Sequence, residues 1–267
     1  MHSEKIIKPQ TYRENFYVED IATFPVSCSS SNELIGEVFK KYPDYDFIPV
    51  KKEGKIIGVL ERNLESENEI ADHVEDHLRH LDDGILIESN EYLYELINSF
   101  PSTSYFRLVV RGSKIDGIIT RSDFLKLPVR VYAFSLISEL ELLMKRIIQI
   151  KWKNNSNGWL DLLSPKRKEK INKAYENFKK MRMEPDLLEF TFFEDKGTIL
   201  KKSFSTLTDK FCDDIGSIVQ LRDALVHARN YLQNDKSLQN LLLRLDKTNK
   251  WISFFSNELL NDSVSQH

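Results

Sequence analysis

The chain has 267 residues, 41% of them hydrophobic and 30% charged, with a formal net charge of −3. That balance belongs to a globular protein and excludes a disordered or fibrous one; the length suffices for two domains. Residues 1–128 carry 15 Lys and Arg against 23 Asp and Glu, a balance of −8, whereas the remainder stands at +5. A basic second half suits a polyanionic partner, although a charged face also serves simply to meet solvent.

Residues 1–18 read as an N-terminal segment, and its start, Met1-His2-Ser3-Glu4-Lys5, has no apolar signal core. The longest apolar-rich run, 129–150, is broken by Arg130, Glu139, Glu141, Lys145 and Arg146, too many charges for a bilayer span. Cys28 and Cys212 are isolated, which fits a reducing compartment. The expected setting is cytoplasmic, without membrane contact.

Residues 19–127 contain a duplication. Segments 31–64 and 89–123 align: Ser31-Asn32-Glu33 with Ser89-Asn90-Glu91, Pro43 with Pro101, Phe47 with Phe106, Val50 with Val109, Lys55-Ile56 with Lys114-Ile115, and Gly58 with Gly117. Each copy predicts a short helix (33–40; 91–99) and then two strands around a turn. The strands fall at 47–50 and 56–60 about Glu53-Gly54, and at 106–110 and 115–120 about Gly112-Ser113. A further helix is expected from Ser122-Asp123. Between the copies, His73, His77 and His80 have a spacing that puts all three on one face of a helix. Such a face could take Zn or Ni, could meet a phosphate, or could be plain polar surface; no metal requirement is assigned.

This order resembles a tandem pair of CBS domains. The second copy carries the family's ligand motif in Gly117-Ile118-Ile119-Thr120-Arg121-Ser122-Asp123. The resemblance implies an adenosine-type effector, such as AMP, ATP or a related adenosyl signal. Gly117 would allow close approach, Thr120 and the following amides would face a phosphate, and Asp123 would accept from the ribose hydroxyls. The base would lie near Ile85, Leu86 and Phe106, with Arg107 and Arg121 toward the phosphate. In the first copy Glu61 and Leu64 stand where the motif has Thr and Asp, so one competent site is expected. The alternative is that the motif only shapes a strand-to-helix turn.

Leu127-Pro128 marks the boundary, and residues 129–267 read as an all-α bundle of four or five helices. Helical spacing runs from Val131 to about Trp152, then from about 205 to 232 and from about 236 to 260. Arg222-Asp223 followed by His227 resembles the Arg-x4-6-His signature of HEPN domains, and Glu141 lies in a segment similar to that superfamily's opening helix. The fold class is thus an α+β CBS pair followed by a HEPN-like bundle. The resemblance implies a metal-independent ribonuclease acting as a homodimer on RNA, with Arg222 and His227 catalytic, Asp223 orienting His227, and Asn230 and Tyr231 lining the cleft. On a regular helix residues five apart point about 140° from one another, so a cleft shared between two copies is expected. A ligand-regulated ribonuclease would fit a stress or antiphage role. The competing reading is a non-catalytic nucleotide-sensing protein whose helical half binds a partner protein; the purely structural alternative for the motif is that Arg222 pairs with an acidic residue and His227 is a satisfied polar group at a helix interface.

Overall fold

Short continuous apolar runs joined by one tight turn build a hairpin in each copy of the duplicated segment. The computed structural model describes residues 14–62, 71–82, 84–100, 105–181, 185–227, 231–232 and 235–264. Phe47–Lys52 (β2, after Ser29–Ser30, β1) pairs antiparallel with Lys55–Glu61 (β3). Glu53 and Gly54 join them with φ of 51° and 79°, the left-handed pair a two-residue hairpin turn requires. Phe106–Arg111 (β6) and Lys114–Thr120 (β7) repeat the arrangement, with Gly112 at φ 64°. Helix α1 (Ile35–Lys41) precedes the first hairpin and α2 (Leu93–Ser99) the second. The sheets run β1-β2-β3-β4 and β5-β6-β7, where β4 is Arg79–His80 and β5 is Leu86–Glu88.

The duplication extends beyond the aligned segments. Val18-Glu19-Asp20 and Val74-Glu75-Asp76 are the same tripeptide, and each opens a 3-10 turn. These lead segments are exchanged between copies. The Val18 amide donates to the Glu91 carbonyl (2.9 Å) and the Leu93 amide to Phe16 (2.8 Å). In mirror fashion the Val74 amide donates to Glu33 (3.1 Å) and the Ile35 amide to Asp72 (3.1 Å). Each copy therefore satisfies backbone groups of the other, and buried backbone groups demand such partners. Part of the expected N-terminal segment is thus structural, and Val18 is fully buried. Ile56, Val59, Ile85, Phe106, Leu108 and Ile118 form a core shared by both copies, with the equivalent Phe47 and Phe106 rings 4.8 Å apart.

Two compact units divide between Val129 and Arg130, two residues beyond the expected boundary at Leu127-Pro128. Among the described residues the second half holds five α-helices: Leu127–Lys151 (α3), Pro165–Lys179 (α4), Phe193–Ser203 (α5), Asp209–Val226 (α6) and Asp235–Val264 (α7). α3 buries Leu136, Leu140, Met144 and Ile147, the stripe its spacing requires. α4 was not legible from apolar period, because Ile171 is its one buried residue; Pro165 in its first turn is the start signal. Asp195 on α5 takes Arg167 of α4 at both oxygens (3.0 and 2.7 Å). Asp214 on α6 takes Lys247 (2.7 Å) and the Trp251 indole (3.2 Å) of α7. No described helix is long and apolar enough to cross a membrane.

Two expectations are corrected. The three histidines do not share a helical face. The 3-10 turn ends at His77, Leu78 is extended, and His80 lies in β4 opposite Gly58. His73 meets the Asn32 carbonyl (3.1 Å) and His77 the Asp72 carboxylate (2.9 Å), while the described residues hold no cluster of metal-ligating groups. The helix expected over 205–232 spans only Asp209–Val226; His227 caps its end at φ −88°, ψ 11°.

Candidate functional site

The Thr120–Asp123 turn is organised by one carboxylate. β7 ends at Thr120 and the 3-10 turn Arg121–Leu125 follows. Asp123, 5% exposed, accepts from the Thr120 amide (2.6 Å) and hydroxyl (3.1 Å) at Oδ2. Its Oδ1 accepts from the Thr23 hydroxyl (3.3 Å) and pairs with Lys126 Nζ (2.7 Å). A carboxylate has about four lone-pair positions, so a ribose would have to replace one of these donors. The Thr120 hydroxyl also lies 2.9 Å from that of Ser122.

The other expected ligand residues are placed as follows. A Cβ on Gly117 would meet the Phe24 ring at 2.3 Å, so Phe24 takes the close approach expected for a ligand. Ile85 and Phe106 are fully buried in the shared core, unavailable to a base without opening it; Leu86 is partly buried. Arg121 lies 5.8 Å from the Tyr105 ring. Arg107, 7% exposed, donates Nη2 to the Ser99 carbonyl (2.8 Å), while its buried Nη1 has no hydrogen-bond partner among the described residues. Burial, then the neighbouring Arg79, pushes its pKa down. In the first copy Glu61 pairs with Arg79 (3.2 Å), and Arg62 donates to the carbonyls of Tyr42 (2.7 Å) and Phe39 (3.1 Å). Leu64 lies outside the described residues.

In the helical unit, Arg222 on α6 lies 3.9 Å from Glu141 of α3. Glu141 also accepts from Lys196 of α5 (3.0 Å), which donates to the Thr191 carbonyl (3.0 Å) as well. Lys196 is only 4% exposed, and nothing in its sequence surroundings marked it. Thus three helices converge on one carboxylate held between two cations. His227 is exposed, and its ring has no hydrogen-bond partner among the described residues. Asp223 reaches it through the backbone, its carbonyl accepting from the His227 amide (3.1 Å), rather than through its exposed carboxylate. Asn230 lies outside the described residues. Tyr231 has the Arg130 guanidinium 4.9 Å from its ring centre, and burial pushes its phenol up to about 12.

No family model matches the chain, and no curated protein matches it. Among solved structures, a hemolysin-like protein containing a CBS domain from Oenococcus oeni is similar at 15% identity, covering 42% of this chain and 88% of that one, with a TM-score of 0.36. A CBS-domain containing protein from Agrobacterium tumefaciens matches at 14% identity, over 40% of this chain and 89% of its own, with a TM-score of 0.35. The CBS domain of a membrane protein from Sphaerobacter thermophilus matches at 14%, over 43% and 89%, with a TM-score of 0.35. These likenesses concern the N-terminal part of the chain.

Proposed function

We propose that the first unit binds an adenosine-containing ligand and that the helical unit is a metal-independent endoribonuclease, acting as a homodimer under that ligand's control. One observation carries the catalytic part. Arg222 sits in a charged cluster with Glu141 and Lys196, while His227, five residues on, is exposed with no ring partner among the described residues. A guanidinium beside the reacting phosphate stabilises the negative charge that builds there. An unengaged imidazole suits proton transfer near neutral pH.

In this reading the RNA 2′-oxygen attacks the adjacent phosphorus and the bond to the 5′-oxygen breaks. His227 takes the 2′-hydroxyl proton as the new P–O bond forms, and solvent water supplies a proton to the leaving 5′-oxygen. The products are a 2′,3′-cyclic phosphate and a 5′-hydroxyl. Exposed Val131, Phe134 and Leu142 on α3 offer apolar surface to a second copy. For the ligand, support comes from the interleaved duplication, the Thr120–Asp123 turn at the end of β7 and the buried Arg107 guanidinium. The pairing of sensing with RNA cleavage suits a stress or antiphage role.

The test is RNA cleavage in EDTA, with and without adenine nucleotides. Wild type is expected to leave cyclic phosphate ends, and Arg222→Ala and His227→Ala to slow cleavage about 100-fold or more with the fold retained. Equal cleavage by both variants sinks the assignment. A second reading, a non-catalytic nucleotide sensor that binds a partner protein, is favoured by the same exposed α3 residues. Tight nucleotide binding with no cleavage under any ligand selects it.

A further inference from the structure

A cavity of about 230 Å³ opens between α6 and α7, lined among others by Leu221, Ala224, Tyr231, Ser237, Asn240 and Arg244. Among the described residues its polar lining is one guanidinium, one amide and two hydroxyls, with no carboxylate. The Arg244 guanidinium donates Nη2 to the Gln220 side chain (2.9 Å) and forms no ion pair among the described residues. This matters because arginine cannot shed its proton when desolvated, and a partly buried charge calls for a counter-charge. Burial does act on Arg244, lowering its pKa. A second cation, Arg130 of α3, lies behind the Tyr231 ring. Helix α6 contributes Leu221 and Ala224 to the wall, carries Arg222 beside them and ends at Val226, one residue before His227.

Two other cations of α7 are matched. Lys247 is paired with Asp214 and Lys250 with Asp246, both at 2.7 Å. Arg244 is held instead by a neutral amide, which fixes its direction without cancelling its charge. A cation, neutral donors and partly exposed apolar walls suit a nucleotide, with its phosphate on the guanidinium and its base against Ala224 and Tyr231. The volume lies below the range of about 300–1,000 Å³ usual for drug-sized ligands, so it admits one nucleotide unit rather than two.

We propose that this cavity is a nucleotide subsite for single-stranded RNA, in which Arg244 takes a phosphate and Asn240 and Tyr231 take the base. It rests on the RNA reading above but not on cleavage. The experiment measures binding of a fluorescent single-stranded RNA to the full-length protein by anisotropy, across a salt series, in EDTA. Arg244→Met is expected to weaken binding about tenfold or more and to flatten the slope of log affinity against log salt by about 0.7, one phosphate contact on a single strand. Arg244→Lys should restore the slope, because it keeps the charge, and Asn240→Ala should weaken binding with the slope unchanged. Melting of each variant within a few degrees of wild type separates these effects from unfolding. Binding lost in Arg244→Met while wild type cuts no RNA upholds the subsite and sinks the ribonuclease. Cleavage by wild type with unchanged binding in Arg244→Met sinks the subsite and leaves the ribonuclease standing. A wild type that does not bind RNA overturns both.

Discussion

Gly117 tests whether a glycine in the ligand motif serves the ligand or the fold. Alanine there would place its Cβ 2.3, 2.7 and 2.9 Å from three atoms of the Phe24 ring, inside any real contact distance. The ring must move, and its seat is well made. The Arg111 guanidinium lies 3.8 Å from the ring centre, and Thr23 and Val26 on either side donate to the Ile118 (2.9 Å) and Asp116 (2.8 Å) carbonyls of β7. Overpacking of this kind costs about 1–3 kcal/mol. Amide exchange at Thr23, Val26 and Ile118, followed by hydrogen–deuterium mass spectrometry, should accelerate about 5- to 150-fold in Gly117→Ala. In a Phe24→Ala background the same substitution should cost almost nothing, a coupling of about 1–3 kcal/mol. Unchanged exchange in Gly117→Ala, or an equal cost with and without Phe24, would refute the claim that the glycine makes room for this ring.

Two further outcomes follow from charged groups. Lys196→Met strips Glu141 of its closest cation and leaves the Thr191 carbonyl without its donor. Glu141 keeps a quarter of its surface, so the loss should sit near the low end for a broken buried pair, about 3 kcal/mol by urea unfolding, with Lys196→Met/Glu141→Leu recovering most of it. Full stability in the single variant counts against the cluster. The Ser29 hydroxyl, then the Ser30 amide and Lys41, hold the Glu33 carboxyl below its usual range against the opposing effect of burial. A depressed folded pKa adds stability above the unfolded value near about 4.3, lost as pH falls through the folded one. Glu33→Gln should therefore be less stable than wild type at pH 7, and the gap should close between about pH 5 and 3; a gap that widens on acidification contradicts the assignment.

The duplication was legible because it is written in local chemistry. Phe47 and Phe106, Gly58 and Gly117, and the turns at Glu53-Gly54 and Gly112 each dictate their own few residues. Strand and α1–α2 boundaries fell within a few residues for the same reason. The repeated Val-Glu-Asp at 18–20 and 74–76 was equally readable, and it would have drawn the lead segments into the fold. The error at His73, His77 and His80 came from assuming a helix where the backbone turns extended after His77. Periodicity cannot show that a chain leaves the helix to pair with a strand made elsewhere, here β3.

The sequence by itself determined the repeat, the helical second half and the identities of the candidate residues, since short apolar strand runs, helical period and turn chemistry act over a few neighbouring positions. Only the tertiary structure decided what those residues meet. It filled the space at Gly117 with Phe24, committed Asp123 to Thr23, Thr120 and Lys126, and drew Glu141, Lys196 and Arg222 together from three helices. It also stopped α6 at Val226, leaving His227 beyond the regular helix. Contacts across tens of residues depend on how elements pack, and packing is not encoded in the spacing of any one of them.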